Sequence, residues 1–388
     1  MRIVLTGGGS GGHVMPFESI IEALRTEHLK TKSTLPGFLD PTELHIFFLG
    51  VTTPEITELF KRYDVPVQHV PSGKMRRYAS ALTIIDILFK LPIGIIVALW
   101  RMWRIMPDVV VSKGGYGSVP SVLAAYIYRI PILLHESDVV PGSANKSLMK
   151  FASAISIGFA VSKEYLPKVA RKLFLTGTPV RTIGQQYTKQ SAKKTLGFPE
   201  HEPLLLVMGG SQGAKQINES LLAILPTIIT KMCVLHITGT TQYEAVTKVA
   251  SEILAHSPRK TLYKGVPYLG ETMISALVAA DLAVARAGAS SLAEIARLRI
   301  PSLLIPLADS ANDHQRKNAL AFEAAGAALI LDPSNLSPHL LEQGILRLVS
   351  DIPLKETLAK NVQALDFPNA ASDIAKLVFQ LATGFRPV

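Results

Sequence analysis

Leu204-Leu-Leu-Val-Met-Gly-Gly-Ser-Gln-Gly-Ala-Lys-Gln-Ile-Asn218 is a short apolar run that breaks into glycines and resumes with helical spacing. It reads as strand, tight turn and helix. Gly209, Gly210 and Gly213 let the backbone turn sharply and approach a ligand closely, while the first amides of the following helix, unpaired within it, point at whatever the turn holds. An anion fits there, most simply a phosphate, with Ser211 and Gln212 as further side-chain donors. Such turns also occur without a ligand, so one copy leaves both readings open. A second copy strengthens the functional one: Ile3-Val-Leu-Thr-Gly-Gly-Gly-Ser-Gly-Gly-His-Val-Met-Pro16 repeats the strand, the glycine turn and the helix start.

Further landmarks match in the same order. Leu44-His-Ile-Phe-Phe-Leu-Gly50 pairs with Cys233-Val-Leu-His-Ile-Thr-Gly239, and Asp108-Val-Val-Val-Ser-Lys-Gly-Gly115 with Asp281-Leu-Ala-Val-Ala-Arg-Ala-Gly288. Ile130-Pro-Ile-Leu-Leu-His-Glu136 then pairs with Ile300-Pro-Ser-Leu-Leu-Ile-Pro306. The pattern predicts an α/β chain of two Rossmann-like domains with parallel sheets. Ligands of such sheets bind beyond the carboxyl ends of the strands, where these glycines fall, and two such edges facing each other make an interdomain cleft. A length of 388 residues suits two domains with cores of their own. Gly177-Thr-Pro-Val-Arg181 marks the boundary, giving residues 1–180 and 181–366, with a last helical segment in 367–388 packing back on the first domain. Residues 30–43, polar and rich in turn signals, read as an inserted surface loop.

Composition limits the compartment and the partners. The single cysteine, Cys233, can form no intrachain disulfide, which fits a reducing compartment, and its place in an apolar run makes it core filler. The start, Met1-Arg-Ile-Val-Leu-Thr-Gly7, reaches glycine too soon for the apolar core of a secretory signal, so export is not expected. A net charge of +10 points to anionic partners, but with no aromatic-and-basic motif or dense Lys/Arg run, nucleic acid is not expected among them. The apolar segment 81–106 is interrupted by Asp86, Lys90 and Pro92, too often for a spanning helix of about 20 apolar residues. Flanked by Lys74, Arg76, Arg77, Arg101 and Arg104, it reads as a surface that lies on an anionic bilayer, with buried core helices as the other reading.

Several polar residues fall where chemistry is expected. His13, at a helix start, is kept neutral by the helix dipole and able to accept a proton, or it makes a structural hydrogen bond. Glu136 and Asp138 follow a strand end and either orient a substrate hydroxyl and tune His13, or act as a cap or surface carboxylate. Glu294, about one turn inside a helix after the Arg286-to-Ala289 turn, suits a ribose diol or a cap. His314 and Gln315 suit sugar hydroxyls. No histidine pair has zinc-helix spacing and no Asp-x-Asp is present, so no metal or other cofactor is expected, and a departing diphosphate must be met by helix amides and cations such as Arg181.

As a set, Gly7 to Pro16, Gly114-Gly-Tyr-Gly-Ser-Val-Pro120, Leu134-His-Glu136, Gly177 to Arg181, Gly209 to Ala214, Arg286-Ala-Gly-Ala289 with Glu294, and His314-Gln315 with Asn318 resemble the MurG family of bacterial peptidoglycan N-acetylglucosaminyltransferases. The resemblance implies a GT-B fold and an inverting transfer of GlcNAc from UDP-GlcNAc to the 4-hydroxyl of MurNAc in undecaprenyl-pyrophosphoryl-MurNAc-pentapeptide (lipid I), forming lipid II. It implies that Arg181, Ser211 and Gln212 hold the donor diphosphate, Glu294 the ribose, backbone near Leu269 the uracil, and His314 and Gln315 the GlcNAc, with Gly213 and Ser291 also among the donor-binding residues. On the acceptor side it points to Ser10, Gly11, Gly12, His13, Tyr116, Glu136, Asp138 and Asn145, with His13 and Glu136 as the catalytic pair. It places the chain peripherally on the cytoplasmic face of the inner membrane, among other cell-wall synthesis proteins. One departure stands out: the family usually has Gln-Asn where this chain has Ser137-Asp138, a negative charge in place of an amide beside an anionic acceptor. Competing classes are a GT-B enzyme with another lipid acceptor such as diacylglycerol, a dinucleotide-dependent oxidoreductase, and a non-catalytic scaffold. Against the oxidoreductase, neither half has a strict Gly-x-Gly-x-x-Gly with an acidic strand end about 20 residues on.

Overall fold

The computed structural model describes residues 1–8, 14–34, 43–73, 83, 86–181, 188–210 and 213–384. The chain divides into two compact units, Met1–Val180 with Phe367–Val388, and Arg181–Asp366.

In the first unit the strands are β1 (Arg2–Gly7), β2 (His45–Gly50), β3 (Val67–His69), β4 (Val109–Gly114), β5 (Ile132–Glu136), β6 (Ala154–Ile157) and β7 (Leu173–Leu175). They form one parallel sheet in the order β3-β2-β1-β4-β5-β6-β7. The second unit repeats the plan with β8 (Leu204–Met208), β9 (Cys233–Ile237), β10 (Tyr263–Val266), β11 (Leu282–Ala285), β12 (Ser302–Leu304) and β13 (Leu329–Ile330), ordered β10-β9-β8-β11-β12-β13 and again parallel. Strand order reverses between β1 and β4 and between β8 and β11, so each glycine turn leaves its sheet at a topological switch point, where α/β sheets open a crevice.

Because helices cover both faces, the central strands are apolar on both sides instead of alternating. β4, β5, β8 and β9 are buried at every residue. In the first unit Phe17, Phe48 and Phe60 meet on one face, Phe48 and Phe60 stacked at 4.4 Å between ring centroids. Each such side chain contributes about 1.5–3 kcal/mol by leaving water. Helix Ala370–Ala382 lays Ile374, Ala375, Val378 and Leu381 into this same cluster, beside Ile3 and Leu5. Cys233 is fully buried on β9, as expected of core filler, and burial pushes its thiol up to about 11.

One expectation fails in part. Lys30–Thr34 are not loop, because the helix Phe17–Thr34 continues through them. These residues carry no helix breaker, and the first proline after them is Pro36. The rest of that stretch, 35–42, lies outside the described residues.

The apolar segment forms a π-helical turn, Asp86–Lys90, running into the helix Leu91–Ile105. Gly94, Ala98, Met102 and Ile105 face the core, and Gly94 is needed there because a Cβ would come 2.0 Å from the Pro71 carbonyl. Leu88, Phe89, Ile93, Ile96, Trp100, Trp103 and Met106 are exposed, Ile96 to 66%. Asp86, the one carboxylate of this stretch, is turned inward at 2% exposure and paired with Lys90 at 2.7 Å. The outer face is therefore apolar and cationic, with Arg104 lying 5.0 Å over the Trp100 ring. No helix among the described residues is long and apolar enough to cross a membrane. Lys74, Arg76 and Arg77 lie outside the described residues.

Candidate active site

The polar residues of the first unit gather at the carboxyl ends of β1, β4 and β5, which are neighbours in the sheet. After β4, Gly114 and Gly115 both take positive φ (84° and 77°), which turns the chain into the 3-10 turn Tyr116–Ser118. A Cβ on Gly114 would lie 2.2 Å from Asn145 Oδ1, and one on Gly117 3.0 Å from the Gly7 carbonyl. Glycine at these positions lets three chain segments close on one another. Tyr116 is half-buried, its carbonyl fixed by the Ser72 hydroxyl at 2.6 Å.

Glu136 ends β5 at 4% exposure and is neither cap nor surface carboxylate. Its Oε1 accepts from the Asp138 amide (3.0 Å), and its Oε2 from the Gly142 amide (3.2 Å) and Asn145 Nδ2 (2.8 Å). The carboxylate thus shapes the 136–142 turn, with Asn145, also buried, as its brace. Burial, reinforced by the Asp138 charge, raises its pKa; the hydrogen bonds and Lys113 pull the other way. Lys113, 2% exposed at the end of β4, donates to the Ser137 hydroxyl, and its pKa is lowered by burial against the opposing pull of Glu136 and Asp138. His135 points into the sheet, bonded through Nδ1 to Ser156 Oγ at 2.7 Å, and burial first, then Lys113, hold it well below the usual histidine range. Ser10, Gly11, Gly12 and His13 lie outside the described residues.

In the second unit the corresponding strand ends are β8, β11 and β12, with β9 flanking. Gly213 takes φ +78°, its amide donating to the Gly210 carbonyl at 3.0 Å, and a Cβ there would sit 2.4 Å from the Thr238 carbonyl. The turn is pressed onto the end of β9 and only glycine fits. Ser211 and Gln212 lie outside the described residues. Arg181 reaches the other side of this edge, where Nη1 donates to the Gly270 carbonyl at 2.8 Å and meets the turn that begins at Leu269. Ser291 and Glu294 are half-buried on the helix Ala289–Leu298, which starts directly after the Arg286–Gly288 turn.

His314 and Gln315 open the helix His314–Ala324. The two residues before them, Asn312 and Asp313, both adopt left-handed backbone (φ 51° and 55°), a conformation that costs about 1–2 kcal/mol per residue and that, after glycine, Asn and Asp tolerate best. This kink presents the helix start to the strand edge. His314 Nδ1 lies 2.6 Å from the Ala311 carbonyl, which only accepts, so Nδ1 carries the proton and Nε2 is the ring's acceptor. Gln315 Oε1 accepts from the Leu307 amide at 3.0 Å.

Two residues quoted in the sequence motifs without a role prove to be braces. Arg286 Nη1 donates to the carbonyls of Ile305 and Pro306 at 3.0 and 2.7 Å, tying the end of β11 to that of β12. Asn318, fully buried, donates to the Ala287 carbonyl at 3.0 Å and so links the helix of His314 to the turn before Glu294. Among the described residues there is no group of three or more His, Cys, Asp or Glu placed to hold a metal ion.

Residues 3–157 match the glycosyltransferase family 28 N-terminal domain and residues 204–377 its C-terminal domain. The chain is 33% identical, over 99% of its length and 100% of the relative's, to the UDP-N-acetylglucosamine--N-acetylmuramyl-(pentapeptide) pyrophosphoryl-undecaprenol N-acetylglucosamine transferase of Halothermothrix orenii. It is 34% identical to the enzyme of the same name from Geobacillus kaustophilus, over 93% of each chain. Among solved structures, that of Acinetobacter baumannii MurG superposes with a TM-score of 0.71 at 25% identity, covering 98% of this chain and 99% of that one. The UDP-GlcNAc 2-epimerase of Neisseria meningitidis, at 14% identity and a TM-score of 0.68, shares the fold alone. With both GT-B domains matched and the paired glycine turns at their switch points, the chain belongs to glycosyltransferase family 28, in its MurG branch.

Proposed function

We propose that the chain transfers GlcNAc from UDP-GlcNAc to the 4-hydroxyl of MurNAc in lipid I, with inversion at the anomeric carbon, giving lipid II and UDP in peptidoglycan synthesis. The observation that carries this is the match to the Halothermothrix orenii transferase over both units, because acceptor choice needs the first unit to agree as well as the second. In this reading the helix amides after Gly210, with Ser211, Gln212, Gly213 and Arg181, receive the charge that develops on the departing UDP. Ser291 and Glu294 take the ribose, backbone at Leu269 the uracil, and His314 and Gln315 the sugar. His13 removes the proton from the attacking hydroxyl, and Ser10, Gly11, Gly12 and Tyr116 hold the acceptor, with Asp138 beside its anionic group. Glu136 and Asn145 act from beneath, by fixing the turn that carries Asp138. The reaction runs without a divalent cation, so a chelator leaves the rate unchanged.

The test is transfer of labelled GlcNAc to a short-chain lipid I analogue, with UDP release followed in parallel. Transfer to that analogue and none to diacylglycerol is expected. Transfer to diacylglycerol, or UDP-GlcNAc binding without turnover, overturns the assignment. In a protein that transfers, His13→Ala should lower kcat by at least about a hundredfold if His13 is the base.

The exposed face from Ile87 to Met106 supports peripheral attachment to an anionic bilayer, on the cytoplasmic side where UDP-GlcNAc is found, and with it a part in cell shape and division beside other cell-wall enzymes. Replacing Trp100 and Trp103 by Ser should abolish co-sedimentation with phosphatidylglycerol vesicles while leaving UDP-GlcNAc binding intact. Unchanged sedimentation would remove this face from the account.

A further inference from the structure

Ser137-Asp138 puts a second carboxylate two residues from the buried Glu136, in the corner to which the proposed function brings an anionic pyrophosphate. Two uncompensated negative charges there would repel each other and the acceptor. The corner also holds a cation. Lys113 comes off the end of β4, the strand paired with β5, and is buried to 2% with its Nζ donating to the Ser137 hydroxyl. An ammonium is rarely taken so far from water unless it is paired, and the charges acting on it are those of Glu136 and Asp138. Ser137 supplies the neutral acceptor, Asp138 and Glu136 the countercharge.

Resting on the proposed function, we propose that Lys113 is a positioning residue for the acceptor: it offsets Asp138 and anchors the 137–142 turn through Ser137, so that this turn can carry a second carboxylate beside Glu136. Lys113, Ser137 and Asp138 then form one exchangeable set, and the effects of replacing them are coupled. The proposed donor ligands all lie in the second unit, and Lys113 in the first.

The experiment is a double-mutant cycle on the full chain with Lys113→Met, Asp138→Asn and the pair together, measuring KM for the lipid I analogue and for UDP-GlcNAc separately. Lys113→Met should raise the acceptor KM by about tenfold or more and change the donor KM by less than about twofold, as expected for loss of one compensating charge at an anion site. Adding Asp138→Asn should return the acceptor KM to within about threefold of the parent, because the charge to be offset is then gone. If Lys113→Met does not fold, the double variant decides: a folded protein with near-parental acceptor KM supports the set, and an unfolded one overturns it. Effects that multiply independently, or a donor KM that rises in step, also overturn it. Failure of the parent chain itself to use the lipid I analogue would sink the proposed function, whereas a working parent with uncoupled variants sinks only the role of Lys113.

Discussion

His236 links the pH dependence of the second unit to a defined hydrogen-bond network. Its Nε2 lies 2.9 Å from Asn218 Oδ1 and its Nδ1 3.1 Å from the Tyr263 hydroxyl. Asn218 uses its amide nitrogen on the Thr238 carbonyl (2.9 Å) and Gln242 Oε1 (2.8 Å), so its Oδ1 accepts from His236. Nε2 therefore carries the proton, Nδ1 accepts from Tyr263, and the neutral ring is fully satisfied. A second proton would displace the Tyr263 bond and place a charge in the core, so burial pushes the histidine down to about 3 from its ordinary 6.5. The folded-state value lies below the unfolded one, so the unfolded chain takes up the proton first as acid is added. The stabilisation is complete above pH 6.5 and is lost as pH falls toward 3. At about 1.4 kcal/mol per unit, His236 alone removes about 2 kcal/mol between pH 7.5 and pH 5, and about 5 kcal/mol in all below pH 3. Hydrogen exchange of peptides covering β9 and β10, corrected for intrinsic rates, reads this unit by itself, apart from the buried His135 of the other unit. His236→Gln should lose about 1–3 kcal/mol of opening free energy at pH 7.5 and then fall with pH about 2 kcal/mol less than the parent. Equal protection of the parent at both pH values, or a variant with the parental slope, would refute the reasoning.

Gly213→Ala forces a Cβ to within 2.4 Å of the Thr238 carbonyl at a φ of +78°, and should weaken UDP-GlcNAc binding by about tenfold or more in calorimetry. Gly210→Ala has a similar backbone penalty (φ +90°) but open space around it, and should do less. Gly177→Ala (φ +79°) drives a methyl to 2.2 Å from Phe367 Cβ and should cost about 2 kcal/mol or more, read as earlier thermal unfolding and faster exchange in Ala370–Ala382. Asn145→Ala deprives the buried Glu136 of a donor and should destabilise the protein by about 1–3 kcal/mol, with a lower melting temperature as the readout.

The sheets and their order were legible because their signals are local and repeated: apolar runs ending in glycine at matched positions, separated by helical lengths. The strand-edge origin of the candidate residues followed from the same pattern. What was not legible depends on which way a side chain turns. Asp86 reads as an interruption of an apolar segment, yet it faces inward onto Lys90 and leaves the outer face free of carboxylate. Lys113 sits in a quoted motif and looks like any lysine beside a glycine turn until its burial and its Ser137 partner are known. Glu136 and Asn145 are nine residues apart, and nothing in the sequence shows that they bond to each other. Arg286 gave no signal of bridging two strand ends, because its partners are backbone carbonyls about twenty residues on.

The return of Ala370–Ala382 to the core of the first unit bears on the order in which the protein is made. Ile374, Val378 and Leu381 complete a cluster begun by Ile3 and Leu5, so that core cannot close until Leu381 has left the ribosome. The second unit, Arg181–Asp366, is contiguous and waits for nothing downstream. Although encoded second, it is the part able to finish first, while the earlier-made first unit stays open, its apolar surface needing protection until the helix Ala370–Ala382 arrives.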